Sequence, residues 1–211
     1  MSIRTKLLGL TTAVALVAGA SLAAAAPATA DDHAAAPKVK GSTTIVLDAT
    51  VAGLLTSLGA SLNATEGAKV KKGKLVFPVT GAGDGYISHK GQLQVITGSG
   101  VTPANNPLVG WPTDQPLITA TMTVDVPGIG ETSLFTLSDI KAGKAKVKVN
   151  KKKKTRTSTQ IIRATLTVDA AQAGLLNLVL GTDLIADGTV LGKTTTKVVT
   201  IAKCANKKCT K

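Results

Sequence analysis

The chain has 211 residues with a formal net charge of +13, 25 Lys and Arg against 12 Asp and Glu, and only 2% aromatic residues. The length suits one domain with a real core, and the charge favours association with polyanions such as teichoic acids or anionic lipids. One Trp and one Tyr are too few for base stacking, which excludes specific nucleic-acid recognition, and they leave little for sugar platforms.

Residues 1–30 read as a secretory signal peptide. Arg4 and Lys6 form the positive start, Leu7 to Ala26 is an apolar run, and Ala28-Thr29-Ala30 is a small-x-small cleavage pattern. Loss of Arg4 and Lys6 lowers the net charge by two, to +11, from the full-chain value of +13. The remainder is expected to be secreted or held at the cell envelope, without an integral membrane span. Residues 31–42 read as a flexible lead-in containing His33, and 43–203 as one β-rich domain.

Thr43 to Leu47 is a β-branched strand. Asp48 caps a short helix whose apolar face is Val51, Leu54, Leu55 and Leu58, and Gly59 stops it. The same order recurs later. In VLDATVAGLLTSLGASL (46–62) and TVDAAQAGLLNLVLGTDL (167–184), Asp48 matches Asp169 and Gly53-Leu54-Leu55 matches Gly174-Leu175-Leu176. We read a duplicated element, two short helices at equivalent positions of a β scaffold.

The stretch LVFPVTGAGDGYISHKGQLQV (75–95) reads as strand, glycine-rich bend, strand, second bend at Lys90-Gly91, and strand. It holds Tyr86 and His89. Residues 97–116, with four prolines and several glycines, read as a long loop crossing an edge, with Trp111 covering the core or stacking on a ligand. Leu117–Val126 and Thr132–Leu137 read as a strand pair around the Pro127–Gly130 turn. Next comes a basic hairpin. Ala145, Val147 and Val149 alternate with Lys144, Lys146 and Lys148. Asn150 to Lys154 is the tip, carrying Lys151, Lys152, Lys153 and Lys154, and Thr157–Val168 is the return strand, preceded by Arg156. This tongue reads as a contact for anionic cell-wall or membrane-surface polymers, or as an edge protected against strand addition. Gly188–Ala202 adds one or two strands. The expected fold is mainly β: an antiparallel β-sandwich or partly closed barrel of about eight to ten strands with two short helices. In the 204–211 tail, Cys204 and Cys209 are expected to form a local disulfide that trims the tail.

Chemistry is sparse. Ser88 and His89 are adjacent, so on a strand they face opposite ways and make no nucleophile pair. Glu66 and Glu131 fall in turns, Asp84 with His89 is no metal site, and the 81–85 glycines precede no helix. We therefore expect neither an enzyme nor a metal site. The segment GYISHKGQL, between LVFPVTG and LITATM, resembles the HtaA-like domains of actinobacterial secreted and cell-envelope proteins. The resemblance covers about 43–140 and implies a β-rich fold with short helices and, as in several members, haem binding for iron uptake. It implies that His89 supports an iron-ligating Tyr. The family's early Tyr has no counterpart in 43–62, which leaves Tyr86 as the substitute. The leading expectation is a non-enzymatic binding or structural module, and the alternative is a haem-binding protein.

Overall fold

The computed structural model describes residues 36–98, 100–114 and 117–204. The signal-peptide reading, His33 and Cys209, and with it the Cys204–Cys209 pairing, lie outside the described residues.

Twelve strands and two short helices run in the order β1 (Lys38–Leu47), α1 (Ala49–Ser57), β2 (Ser61–Thr65), β3 (Lys69–Lys71), β4 (Lys74–Gly83), β5 (Tyr86–His89), β6 (Gln92–Thr97), β7 (Gly100–Gly110), β8 (Ala120–Val126), β9 (Gly130–Ala142), β10 (Lys146–Asn150), β11 (Thr155–Val168), α2 (Ala173–Leu180) and β12 (Val190–Lys203). All the strand pairs are antiparallel. The order β7-β5-β4-β1-β12-β11-β9-β8 returns to β7 through a β7–β8 pairing. Eight strands thus close a barrel, a more complete closure than a sandwich or a partly closed barrel. The other four extend it: β6 and β2 continue outward from β7, β3 lies on β4, and β10 on β11. Closure removes the edges of the eight and leaves only short flanking ones exposed.

Period-two burial drives this. Leu75, Phe77 and Val79 on β4, and Ile162, Ala164, Leu166 and Val168 on β11, are buried while their neighbours face outward. β1 and β12 approach especially closely. A Cβ at Gly192 would stand 2.1 Å from the Val46 carbonyl oxygen, so only glycine permits the contact.

Both helices form as their sequences direct. Asp48 caps α1 by accepting from Thr50 N–H at 2.9 Å. Asp169 accepts from Ala171 N–H at 3.1 Å, opening a single 3₁₀ turn, Ala170–Gln172, that leads into α2. Gly59 (φ +63) follows α1, and Gly181 (φ +64) ends α2 in the left-handed conformation. β1 and β11 are both antiparallel to β12, so they run the same way and deliver both helices to one end of the barrel. That matches the equivalent positions read from the repeat.

Two boundaries differ from the sequence reading. β1 begins at Lys38, inside the stretch taken as a flexible lead-in, because Lys38–Ser42 pairs with Ile201–Lys197 of β12. The proline-rich 97–116 segment is largely a strand, not a loop. β7 pairs with β6, β5 and β8 despite Pro103 and Pro107. Pro107 is tolerated because the register breaks between Asn105 and Leu108, a bulge with Asn106 at φ +42. Pro103 lies ahead of the stretch that pairs with β8 and is opposed only by Gln94 of β6.

Gly192→Ala is expected to destabilise the protein by more than about 1 kcal/mol, read as a lower urea midpoint with the slope unchanged. An unchanged midpoint would mean that β1 and β12 do not need this close approach.

Candidate functional site

The barrel interior holds one polar chain. His89 is buried at the end of β5, where Ile87 and His89 point inward while Tyr86 and Ser88 point outward. The Pro107 carbonyl lies 2.8 Å from His89 Nδ1 and can only accept, so Nδ1 carries the proton. Nε2 then accepts from the Thr43 hydroxyl at 2.6 Å, and Thr43 Oγ1 accepts from the Thr196 hydroxyl at 2.8 Å. The β7 bulge makes this possible, since a regular strand would not turn the Pro107 carbonyl inward. Gly91 holds the bulge: its carbonyl accepts from Asn106 N–H at 2.8 Å. Burial lowers the His89 pKa below the ordinary imidazole value, partly opposed by the Pro107 hydrogen bond. His89 is therefore a neutral, fully engaged link between β5, β7, β1 and, through Thr196, β12.

The other expected site residues go elsewhere. The Tyr86 ring lies outside the barrel over glycines. A Cβ at Gly83 would stand 2.6 Å from its Cε1 atom, which explains the glycines ahead of the turn. Gly85 (φ +80) makes the turn itself. Trp111 is half-buried against the main core at the barrel end opposite the helices, its backbone N–H donating to the Gly85 carbonyl at 2.9 Å. With Leu117, Ile87 and Val109 it walls a cavity of about 20 Å³, room for a single water. Tyr86, His89 and Trp111 thus take three separate directions. Ser88 Oγ sits 3.3 Å from Thr80 Oγ1, on the face away from His89.

A larger cavity, about 110 Å³, opens at the helix-bearing end. Its lining is almost wholly apolar: Phe77, Leu93 and Val124 from the strands and Leu175 and Leu176 from α2, with the Met122 thioether between this cavity and the smaller one. Leu175 and Leu176 also pack on the second core cluster of Val124, Val126 and Leu134. At the same end of the barrel, Leu178 on α2, Leu184 just after it and Ile129 in the β8–β9 turn are 79%, 65% and 53% exposed. Asn177 ties the Leu184–Ile185 segment to α2, donating to the Ile185 carbonyl and accepting from its N–H, both at 2.9 Å.

An iron ligand from the expected pair does not fit this geometry. Both His89 ring nitrogens are committed, Tyr86 faces out, and the larger cavity's lining includes no His, Tyr or Cys. Among the described residues no three His, Cys, Asp or Glu converge as metal ligands, and no helix is long and apolar enough to cross a membrane.

The lysine tongue forms as read, with Lys146 and Lys148 outward on β10, Val147 and Val149 half-buried, and Lys151–Lys154 at an exposed tip. Lys144 precedes β10 and is exposed, as is Arg156 on β11. The start of the tail docks there, Cys204 N–H donating to the Lys154 carbonyl at 2.9 Å.

Sequence reasoning missed Thr43 and Thr196 as partners of His89. Their signal was phase: Thr43 alternates in step with Ile45, and Thr194 and Thr196 with Val198, so all must enter the core. Pro107 was hidden because its segment read as loop.

No protein-family model matches the chain, and no curated relative does. Solved structures do. The C-terminal domain of HtaA from Corynebacterium glutamicum matches over 79% of this chain and 99% of its own, with 14% identity and a TM-score of 0.55. HtaB of the same organism, a heme binding protein, matches over 78% and 96%, with 11% identity and a TM-score of 0.53. The N-terminal domain of HtaA matches over 83% and 100%, with 11% identity and a TM-score of 0.51. At these identities the likeness is one of fold, and the chain has the HtaA-like fold.

Two outcomes follow for the polar chain. Thr43→Val strips His89 Nε2 of its donor and is expected to cost about 1–3 kcal/mol in urea unfolding. Because folding lowers the His89 pKa, its contribution is complete above the unfolded value of about 6.5 and declines as pH falls from there towards the folded value. The wild-type midpoint should therefore drop between pH 7 and 5 more than that of His89→Gln; equal declines would refute a neutral buried imidazole.

Proposed function

We propose that this protein is an exported, non-enzymatic binding module of the cell envelope that seats an apolar small molecule at the helix-bearing end of its barrel. The observation that carries this is the cavity of about 110 Å³ lined by Phe77, Leu93, Met122, Val124, Leu175 and Leu176. Ligand seats are concave and mostly apolar, and barrel mouths are a common place for them. A site of about 150 Å³ holds benzene, so the enclosed part takes one end of a ligand. The remainder would lie across Leu178, Leu184 and Ile129. Burying such surface stabilises a complex by about 25 cal/mol per Å² before the cost of association is subtracted.

Haem is the second reading, favoured by the fold shared with HtaB, a heme binding protein. The placements of Tyr86 and His89 weigh against iron ligation by that pair. A porphyrin would here be held by burial of its apolar edge, and the iron would add little. Among the described residues the arrangement offers no catalytic constellation, and the role left for His89 is to keep the barrel's strands in register.

The test is titration of the purified protein with hemin, iron-free protoporphyrin IX and a fluorescent fatty acid. At least one apolar probe should bind, and Ala104→Phe, which directs a ring into the cavity, should weaken it at least tenfold. Hemin and protoporphyrin should bind within a few-fold of each other. Absence of binding by all three, or indifference to Ala104→Phe, would refute the cavity as the seat. A Soret shift abolished by both Tyr86→Ala and His89→Ala would restore the iron-ligation reading.

A further inference from the structure

The tongue is one end of a larger charged surface that only the strand order reveals. The six adjacent strands β10-β11-β12-β1-β4-β3 contain no Asp or Glu at all. The described acids lie elsewhere. Asp48 and Asp169 cap helices, Asp125 and Glu131 pair across β8 and β9, and Asp114, Asp183 and Asp187 lie in other connections. Three acids stand at the wall's margins: Glu66 ahead of β3, Asp84 in the turn after β4, and Asp139, accepting from Thr165 at 3.1 Å.

Register places the cations on one outer face. Arg163 lies opposite Thr195, which lies opposite Thr44. Lys197 lies opposite Ser42, and Lys193 and Lys74 both lie opposite Val46. Lys146 on β10 is opposite Thr159, which is opposite Val199. Lysines and an arginine therefore share this face with Ser and Thr hydroxyls and a few apolar side chains, Val46, Ile161 and Val199, from the tongue to the β3–β4 turn. Directly opposed or diagonal like charges are destabilising in a sheet, so an acid-free wall costs stability.

Protection of an edge explains Lys146 and Lys148, because β10 pairs only with β11. It does not explain Arg163, Lys193 or Lys197, because β11 and β12 are hydrogen-bonded on both sides. We infer that this wall is a docking surface for a linear, flexible phosphate polymer of the polyol-phosphate kind. The cations neutralise successive phosphates, and the interleaved Ser and Thr hydroxyls donate to phosphate oxygens. The chain's single Trp lies off this face, and its single Tyr stands only at the far margin, with the Tyr86 ring over Gly81 and Gly83 at the end of β4. The strands from β10 through β11 and β12 to β1 carry no aromatic side chain to stack on bases or to anchor the face at a lipid interface.

The experiment measures binding of purified protein to immobilised polyphosphate across a salt series. Wild type should bind, with affinity falling steeply as salt rises. The Arg163→Gln/Lys193→Gln/Lys197→Gln variant should bind at least tenfold more weakly, with a log–log salt slope shallower by about 2, given roughly 0.7 for each phosphate no longer neutralised. Its unfolding midpoint should equal or exceed that of wild type, which separates weakened docking from impaired folding. Unchanged polymer affinity in this variant, or no binding by wild type, would overturn the proposal. Tighter binding to phosphatidylglycerol vesicles or to duplex DNA than to polyphosphate would overturn the choice of partner. The Ala104→Phe variant should bind the polymer as wild type does, so this surface stands or falls apart from the cavity.

Discussion

The hydrogen bonds from Thr196 through Thr43 and His89 to the Pro107 carbonyl are the constraint on which this barrel turns. They join β12, β1, β5 and β7, four strands drawn from opposite ends of the sequence. Each group in the chain is buried and each is satisfied, which makes the set specific in a way that an apolar core is not. A one-residue slip of β5 would send His89 outward and put Ser88 in its place. The slip would also strand the Pro107 carbonyl and the Thr43 hydroxyl inside. The polar chain therefore fixes register at the point where β5, only four residues long, has few other contacts with which to fix it.

The same arrangement bears on the iron-ligating pair that the resemblance implied. In the resemblance that the sequence suggested, the turn His supports an iron-bound tyrosinate. Here that His has a threonine hydroxyl on Nε2, and the only Tyr is on the outer side of the same strand, three residues away. An odd separation on a strand puts two side chains on opposite faces, so Tyr86 could never have joined His89 without a bulge between them. That conclusion was available from the period of two alone. The same reasoning had already separated Ser88 from His89, and it applies to Tyr86 with equal force.

Much of the fold was legible. The Asp-capped, Gly-stopped helices announced themselves through local chemistry, and the β4–β5 hairpin and the β6 strand through alternation and glycine. What local patterns could not reach was anything decided by a distant partner. Pro103 and Pro107 read as loop because a proline cannot supply a ladder N–H, yet a bulge at Asn105–Leu108 absorbs the second of them. Lys38–Ser42 read as tail because their neighbours in sequence say nothing about β12, the last strand of the chain, which pairs with them. Closure was equally hidden. It rests on a few residues of β7 meeting β8 beyond the bulge, and no composition signals that.

Charge shows the same division between what is local and what is assembled. A run of four lysines at 151–154 is conspicuous in any reading, and a tongue is the natural name for it. Arg163, Lys193 and Lys197 are unremarkable in sequence, each isolated among threonines and apolar residues. The antiparallel register brings them level, and of the strands beside them only β9 carries acids, with Asp139 engaged by Thr165 at the margin. Placing every described acid outside six contiguous strands is a property of the sheet order, not of any segment. A barrel so arranged has two faces with different physics: a polar, cationic wall that keeps its ordered rows of hydroxyls in water, and an apolar mouth where α2 covers the core incompletely. The wall can hold a polymer by charge without disturbing the packing behind it. The mouth can seat the end of an apolar group in the cavity beneath α2, and a larger one only by displacing Leu175 and Leu176, so α2 is the element whose displacement would couple binding to the fold.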